Sequence, residues 1–364
     1  MPSALAGKTV LLAAGGTGGH LQPALAVAAE ARVRGARVVV VTTPSQVERV
    51  AEQFQTYALE LAGFARSPDA RAYLRTARLL LAAVPRVSRI LAEVRPDVAM
   101  GAGGFAGGPV TALAALHGVP ALATEADAHL GVANRLLRPF VKRLCLSFPI
   151  EGLRPPKYVV TGRPLGPAQL TATAEEGREA FGLRPGSPVL LAFGGSQGAQ
   201  SINRAFVDAF AGRDLPFQIV HVCGPRNLDD VRAALEARGE RFERYRLVAY
   251  TDRLAAAMAA ADLVVARSGG SVAELAALGR PAVLVPYPYA TADHQRKNAR
   301  WMVDGGAALL VDDSELDGEL LERLVGELLA DRPRLAAMAA ASKALGRPDA
   351  AQRVADQLEA IVKR

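Results

Sequence analysis

Short apolar runs rich in β-branched residues alternate along this chain with Ala- and Leu-rich stretches of helical length. Residues 9–14, 38–42, 97–100, 121–123 and 158–160 read as buried strands, with helical segments such as 21–34 and 109–117 between them. After about residue 165 the alternation begins again. Strands fall at 189–193, 218–222, 246–249, 263–266 and 282–285, and helices at 199–211, 227–237, 272–278 and 294–304. Residues 316–364 are helical in pattern, with Asp349 placed to cap the last helix. Strand–helix alternation predicts a parallel sheet covered on both faces, and two such runs predict an α/β chain of two doubly wound, Rossmann-like domains. The prolines and glycines of 161–168 stop any regular element. The domains are therefore expected at 1–163 and 164–346, with a terminal helix at about 347–364 packing back on the first.

The residues that follow the strands narrow the chemistry. The first strand runs into Gly15-Gly-Thr-Gly-Gly-His20, and the strand at 97–100 into Gly101-Ala-Gly-Gly-Phe-Ala-Gly-Gly108. In the second half, 189–193 runs into Gly194-Gly-Ser-Gln-Gly-Ala199, and 263–266 into Arg267-Ser-Gly-Gly-Ser271. Open α/β sheets bind ligands at such strand ends. Glycine lets the backbone approach a phosphate or sugar, and the following helix aims free N–H groups at an anion. None of the four is a Walker loop, and none is a clean dinucleotide fingerprint with its acidic residue about 20 residues on. Two glycine-lined sheets facing each other across a hinge imply one substrate per domain.

At 364 residues the chain is long enough for two such domains. Its net charge of +7 favours an anionic partner, whether nucleic acid, lipid surface or phosphorylated substrate. Aromatics are only 5%, with no basic–aromatic ladder for stacking bases, which disfavours nucleic acid. Two cysteines exclude a disulfide framework and a four-thiolate zinc site. There is no signal-peptide pattern and no uninterrupted apolar stretch of spanning length. Residues 71–89 hold Arg71, Arg75, Arg78, Arg86 and Arg89 around a greasy centre of Leu79, Leu80 and Leu81. Such a segment either lies on an anionic bilayer or is an ordinary helix with its apolar side in the core.

Several polar residues are placed for chemistry. His20 enters a helix from a glycine turn, where the helix N-terminus would favour the neutral imidazole of a general base. Glu274 falls early in a helix, suited to ribose hydroxyls or to compensating the helix dipole. Asp293 is placed to cap a helix on which Gln295 and Asn298 share a face, an arrangement suited to sugar hydroxyls or a solvated helix start. Glu125 and Asp127 end a strand as base or sugar ligands, with an N-cap as the alternative for Asp127. No His, Cys or carboxylate spacing suits a metal.

Together these pieces resemble the MurG family of GT-B-type glycosyltransferases. The resemblance rests on Gly15 to His20 with Leu21-Gln-Pro-Ala-Leu-Ala26, Gly103 to Pro109, Gly131-x-x-Asn134-Arg135, Gly194 to Ala199 with Asn203, Arg267-Ser-Gly with Glu274, and Asp293-His-Gln-x-x-Asn-Ala299. It implies transfer of N-acetylglucosamine from UDP-GlcNAc to the C4 hydroxyl of undecaprenyl-pyrophosphoryl-MurNAc-pentapeptide, with inversion. It also implies a peripheral site on the cytoplasmic membrane face, an anionic inner-membrane surface as partner, no cofactor and no tightly bound metal. The roles it implies are Thr17, Gly18 and Gly19 at a diphosphate, Ser196 at a UDP phosphate, Glu274 at the ribose and Gln295 at the sugar. His20 is then the general base, with Glu125 second. Further substrate contacts are implied for Asp127, Asn134, Arg163, Gln197, Asn203, Thr251, Arg267, Gly270, Ser271 and Asn298, and membrane contacts for Arg75, Leu79, Leu80, Leu81 and Arg86. The chain departs from the family where Asp127 replaces the usual sugar-binding Asn, and where Gly166 replaces an Arg. The loop at 268–274 is one residue shorter, and Phe105 replaces a Tyr. Transfer to another lipid such as diacylglycerol, 2-epimerisation of a UDP-sugar, and nucleotide-sugar binding without catalysis are the competing readings.

Overall fold

The computed structural model describes residues 3–15, 18–60 and 70–363. The chain divides into two compact units, 1–166 with 348–364, and 167–347. The division thus falls three residues beyond the expected boundary, and the terminal helix belongs to the first unit.

The first unit runs β1 (Thr9–Ala13), α1 (Gly18–Val33), β2 (Arg37–Thr42), α2 (Val47–Ala51), β3 (Gln55–Ala58), α3 (Ala70–Val94), β4 (Val98–Gly101), α4 (Gly104–Leu116), β5 (Ala121–Glu125), α5 (Val132–Leu137), β6 (Arg143–Leu146) and β7 (Tyr158–Val160). Its strands are parallel, in the order β3-β2-β1-β4-β5-β6-β7. Both faces are covered, which is why β1 reads TVLLA with no alternating polar residue. Val10 and Leu12 enter one core and Leu11 and Ala13 the other, as the two-residue repeat of a strand requires. The strands β3 and β6 escape the apolar pattern because they are short and carry Gln55, Thr56 and Arg143.

The second unit runs α6 (Pro167–Leu170), α7 (Ala174–Ala180), β8 (Val189–Phe193), α8 (Gln200–Phe210), β9 (Gln218–Val222), α9 (Leu228–Glu236), β10 (Tyr245–Val248), α10 (Leu254–Ala260), β11 (Leu263–Ala266), α11 (Ser271–Leu278), β12 (Ala282–Leu284), α12 (His294–Asp304), β13 (Ala308–Leu310), α13 (Gly318–Ala330) and α14 (Arg332–Leu345). Its parallel order is β10-β9-β8-β11-β12-β13. Phe206, Phe210, Phe217 and Tyr245 fill one side of this sheet.

The closing helix α15 (Ala350–Ile361) returns to the first unit. Val354 and Leu358 join the core that contains Leu21, Val27 and Ala31 of α1. Arg34 then pairs with Glu30 at 2.8 Å, Asp356 at 2.6 Å and Glu359 at 3.3 Å. Asp349 does not cap α15: its carboxylate accepts from Arg353 Nε at 2.8 Å instead.

The strand order explains the glycine turns. In each sheet the direction of winding reverses between two neighbouring strands, β1 and β4 in one and β8 and β11 in the other. All four glycine turns follow these strands. They therefore stand in pairs at the two switch points, where the carboxyl ends of the strands leave a crevice.

Candidate active site

In the first unit the helix begins inside the glycine turn. Gly18, Gly19 and His20 form the opening of α1, and Thr17 lies outside the described residues. The His20 ring packs on Gly103, which has φ +82° and no room for a side chain: a Cβ there would stand 2.8 Å from His20 Nδ1. Nδ1 is buried and has no hydrogen-bond partner among the described residues. The imidazole pKa is held below its ordinary 6.5, first by burial and then by the Arg163 guanidinium, while Asp127 and the Ala102 backbone pull it upward. Burial, rather than the helix end, is thus the main cause of the neutral imidazole.

Arg163, from the segment that joins the two units, lies beside this site. It is 9% exposed, and its guanidinium donates to the carbonyls of Gly19 and Ala126. It thereby ties the start of α1 to the loop after β5. Glu125 is committed to that same loop. Its Oε1 accepts from the Ala126 and Asp127 amides at 2.9 and 3.3 Å, and its Oε2 from Gly131 N and Asn134 Nδ2, both at 2.9 Å. Burial raises the Glu125 pKa, against the lowering effect of these bonds. The loop 126–131 is therefore shaped by a buried carboxylate, and Asn134 serves it from α5. Asp127 is not the cap of α5, whose N-cap position is Gly131.

In the second unit a cavity of about 970 Å³ opens over the turn after β8. Ser196 and Gln197 stand exposed in its lining, with Arg267 and Gln295. The turn is held from beneath. Gly198 has φ +76°, and a Cβ on it would meet the Cys223 carbonyl at 2.0 Å. Asn227 Nδ2 donates to the Gln197 and Cys223 carbonyls at 3.2 and 2.9 Å. Asn203 donates to the same Cys223 carbonyl at 3.0 Å, and its Oδ1 meets His221 Nε2 at 2.9 Å. Asn203 is thus buried behind the turn and does not line the cavity. His221 is structural, enclosed between Asn203 and the Tyr245 hydroxyl, and burial pushes its pKa down to about 3.

Other expected contacts also sort by depth. Arg267 is spent on structure: it pairs with Asp313 at 2.5 Å and donates to Ser201 Oγ and the Val285 and Pro286 carbonyls. Gln295 and Asn298 share a helix face at different depths. Gln295 Oε1 accepts from Tyr287 N at 3.0 Å beside the cavity, whereas buried Asn298 donates to the Ser268 carbonyl at 3.1 Å. Asp293 does not cap α12. Its φ of +53° is not the extended geometry of a cap, and its carboxylate lies 3.4 Å from Arg296. Gly270, Ser271 and Glu274 stand at the start of α11 outside the cavity lining, and Thr251, whose hydroxyl accepts from Arg253 N ahead of α10, also lies outside it. Sequence reasoning missed Arg204, Tyr287, Tyr289 and Asp313, which do line it. The only available signal was spacing: Arg204 sits one turn into the helix that follows the glycine turn. Among the described residues no group of three or more His, Cys, Asp or Glu side chains could hold a metal ion.

Two parallel-sheet units, each with paired glycine turns at a switch point, define an α/β protein of two Rossmann-like domains. The chain belongs to glycosyltransferase family 28: residues 10–145 match the family's N-terminal domain and residues 189–354 its C-terminal domain. Within that family its similarity is to MurG. It is 38% identical to the UDP-N-acetylglucosamine–N-acetylmuramyl-(pentapeptide) pyrophosphoryl-undecaprenol N-acetylglucosamine transferase of Halothermothrix orenii, over 96% of this chain and 98% of that one. It is 40% identical to the transferase of the same name from Moorella thermoacetica, over 97% of each chain. The crystal structure of Acinetobacter baumannii MurG superposes with a TM-score of 0.78 at 28% identity, over 97% of this chain and 99% of that one.

Proposed function

We propose that this chain transfers N-acetylglucosamine from UDP-N-acetylglucosamine to the C4 hydroxyl of the muramoyl residue in undecaprenyl-pyrophosphoryl-MurNAc-pentapeptide. The observation that carries the reading is that each unit, taken by itself, holds a half-site. One unit has an open helix start under a roomy cavity, and the other has an imidazole kept neutral beside its glycine turns. In the second unit, Ser196 and the first amides of α8 meet the donor diphosphate, Gln295 meets the sugar, and Glu274 takes the ribose hydroxyls. In the first unit, His20 accepts the proton of the attacking hydroxyl. That oxygen bonds to the anomeric carbon as the bond to UDP breaks. The electron pair leaves on the β-phosphate, and in-line attack inverts the centre. The positive end of α8 stabilises the departing charge. Asp127 beside His20 leaves the acceptor-side loop with a carboxylate that favours hydroxyl donors.

The test is purified protein with lipid I and radiolabelled UDP-GlcNAc, with UDP-Glc and diacylglycerol as controls. Labelled lipid II is expected, and activity is expected to survive a chelator. Label appearing on diacylglycerol alone, or UDP-ManNAc forming without acceptor, would replace this reading by another lipid transferase or by an epimerase.

The acceptor's prenyl tail implies a membrane surface, and α3 offers one. Ala83, Val87, Ile90, Leu91 and Val94 of α3 face the core. On its outer side Leu81 is 72% and Val84 36% exposed, with Arg78, Arg86 and Arg89 also exposed. The inner face is that of an ordinary core-packed helix, and the exposed apolar and basic outer face supports the bilayer reading. The side chains of Arg75, Leu79 and Leu80 lie outside the described residues. Among the described residues no helix is long and apolar enough to cross a membrane. We place the protein peripherally on the cytoplasmic face, held by this patch. Leu81→Glu is expected to weaken binding to anionic vesicles roughly tenfold, from lost apolar burial and added repulsion. Sedimentation with vesicles measures it, and UDP affinity is the control that should not move.

A further inference from the structure

The cavity of the second unit contains two arginines in unlike situations. Arg267 is 9% exposed, and its charge is met by Asp313 at 2.5 Å. Its N–H groups are taken up by Ser201 and by the Val285 and Pro286 carbonyls. It holds the wall in place and has little left for a ligand. Arg204 is exposed on α8, lines the same cavity, and makes no hydrogen bond or ion pair among the described residues. With Asp313 paired to Arg267, Arg204 is the uncompensated charge among the described residues of the lining.

Its position on the helix gives that charge a direction. Helical side chains lean toward the N-terminus of their helix, so a long side chain one turn in covers the surface of the preceding turn. For Arg204 that surface is the start of α8, next to the exposed Gly195, Ser196 and Gln197. The helix start carries no acidic residue and no side-chain cap, so its amides are open. A guanidinium over open amides can grip a phosphate through two N–H groups at once.

We propose that Arg204 contacts the diphosphate of the donor and stabilises it as it leaves. This rests on the transfer reading above and adds a catalytic residue to it. As the bond from the anomeric carbon to the β-phosphate oxygen breaks, that oxygen gains negative charge. Arg204 meets the gain where the amides of α8 meet the rest. Such a donor acts more strongly on the transition state than on the ground state.

The experiment compares wild type, Arg204→Gln and Arg204→Lys in the full chain. Titration calorimetry with UDP and with uridine reads binding, and lipid I transfer reads kcat and KM. Arg204 is exposed, so the thermal midpoint should be unchanged. The expected result is that Arg204→Gln binds UDP about tenfold more weakly, binds uridine as wild type does, and loses about 10²-fold in kcat. Arg204→Lys should recover part of both losses. Unchanged UDP affinity and kcat in Arg204→Gln would overturn the proposal. So would equal weakening of UDP and uridine, which would assign Arg204 to the shape of the cavity. Wild type that binds no UDP would instead sink the donor reading on which this depends.

Discussion

Replacing His20 by alanine is expected to lower kcat by roughly 10²–10⁴-fold, the usual worth of a positioned general base, while UDP affinity stays within about twofold. The ring is fixed by packing on Gly103, where a Cβ would lie 2.8 Å from Nδ1. Its pKa is below 6.5 because of burial first and Arg163 second. The sign follows directly. A base must be unprotonated, so activity falls as pH drops through the His20 pKa, and the acid limb should have its midpoint below 6.5. Asp127 raises this pKa, so Asp127→Asn should move the limb to still lower pH. Arg163 lowers it, so Arg163→Gln should move the limb up, with some added loss from freeing the Gly19 and Ala126 carbonyls. Single-turnover rates across pH check all three. Collapse of UDP affinity in His20→Ala would make His20 a binding residue instead.

Gly198→Ala is expected to destabilise the second unit by about 2–6 kcal/mol, combining a left-handed backbone penalty with overpacking. The thermal midpoint should fall by roughly 5–20 °C, and donor affinity should fall with it. Here the backbone has φ +76° and the new Cβ would stand 2.0 Å from the Cys223 carbonyl. That carbonyl cannot give way, because Asn203 and Asn227 both donate to it. Gly195→Ala is the matched control. Its φ is +85°, but no atom lies within 4 Å, so only the backbone penalty of about 1–2 kcal/mol applies. Calorimetric melts separate the two. Equal, mild effects would show that contact with Cys223 does not hold the turn.

The two asparagines illustrate what could not be read in advance. By its motif Asn203 looks like a substrate contact, yet it lies behind the turn. Asn227 carries no motif and clamps the same turn through the Gln197 carbonyl. A short amide side chain satisfies whichever buried carbonyl lies within reach, and reach is a property of the packed strands. Arg163 makes the same point from the other side. Its neighbours Gly162 and Pro164 look like a hinge, and only its bonds to Gly19 and Ala126 place it beside His20.

What the chain sequence determined alone was local: apolar runs long enough to be buried strands, the helices between them, and glycines at four strand ends. Those follow from the period of side-chain burial and from glycine's freedom at close approach, both of which act within a few residues. Short strands with polar members, such as β3 at Gln55–Ala58, lacked enough apolar residues to register. Tertiary structure alone decided that β1 lies beside β4 and β8 beside β11. That adjacency gathers the turns into pairs, places Gly103 under His20, and leaves Arg267 spent while the Arg204 side chain has no partner among the described residues. Strand order is set by which long-range packing buries the most surface, and nothing in the spacing of residues along one strand encodes its neighbour.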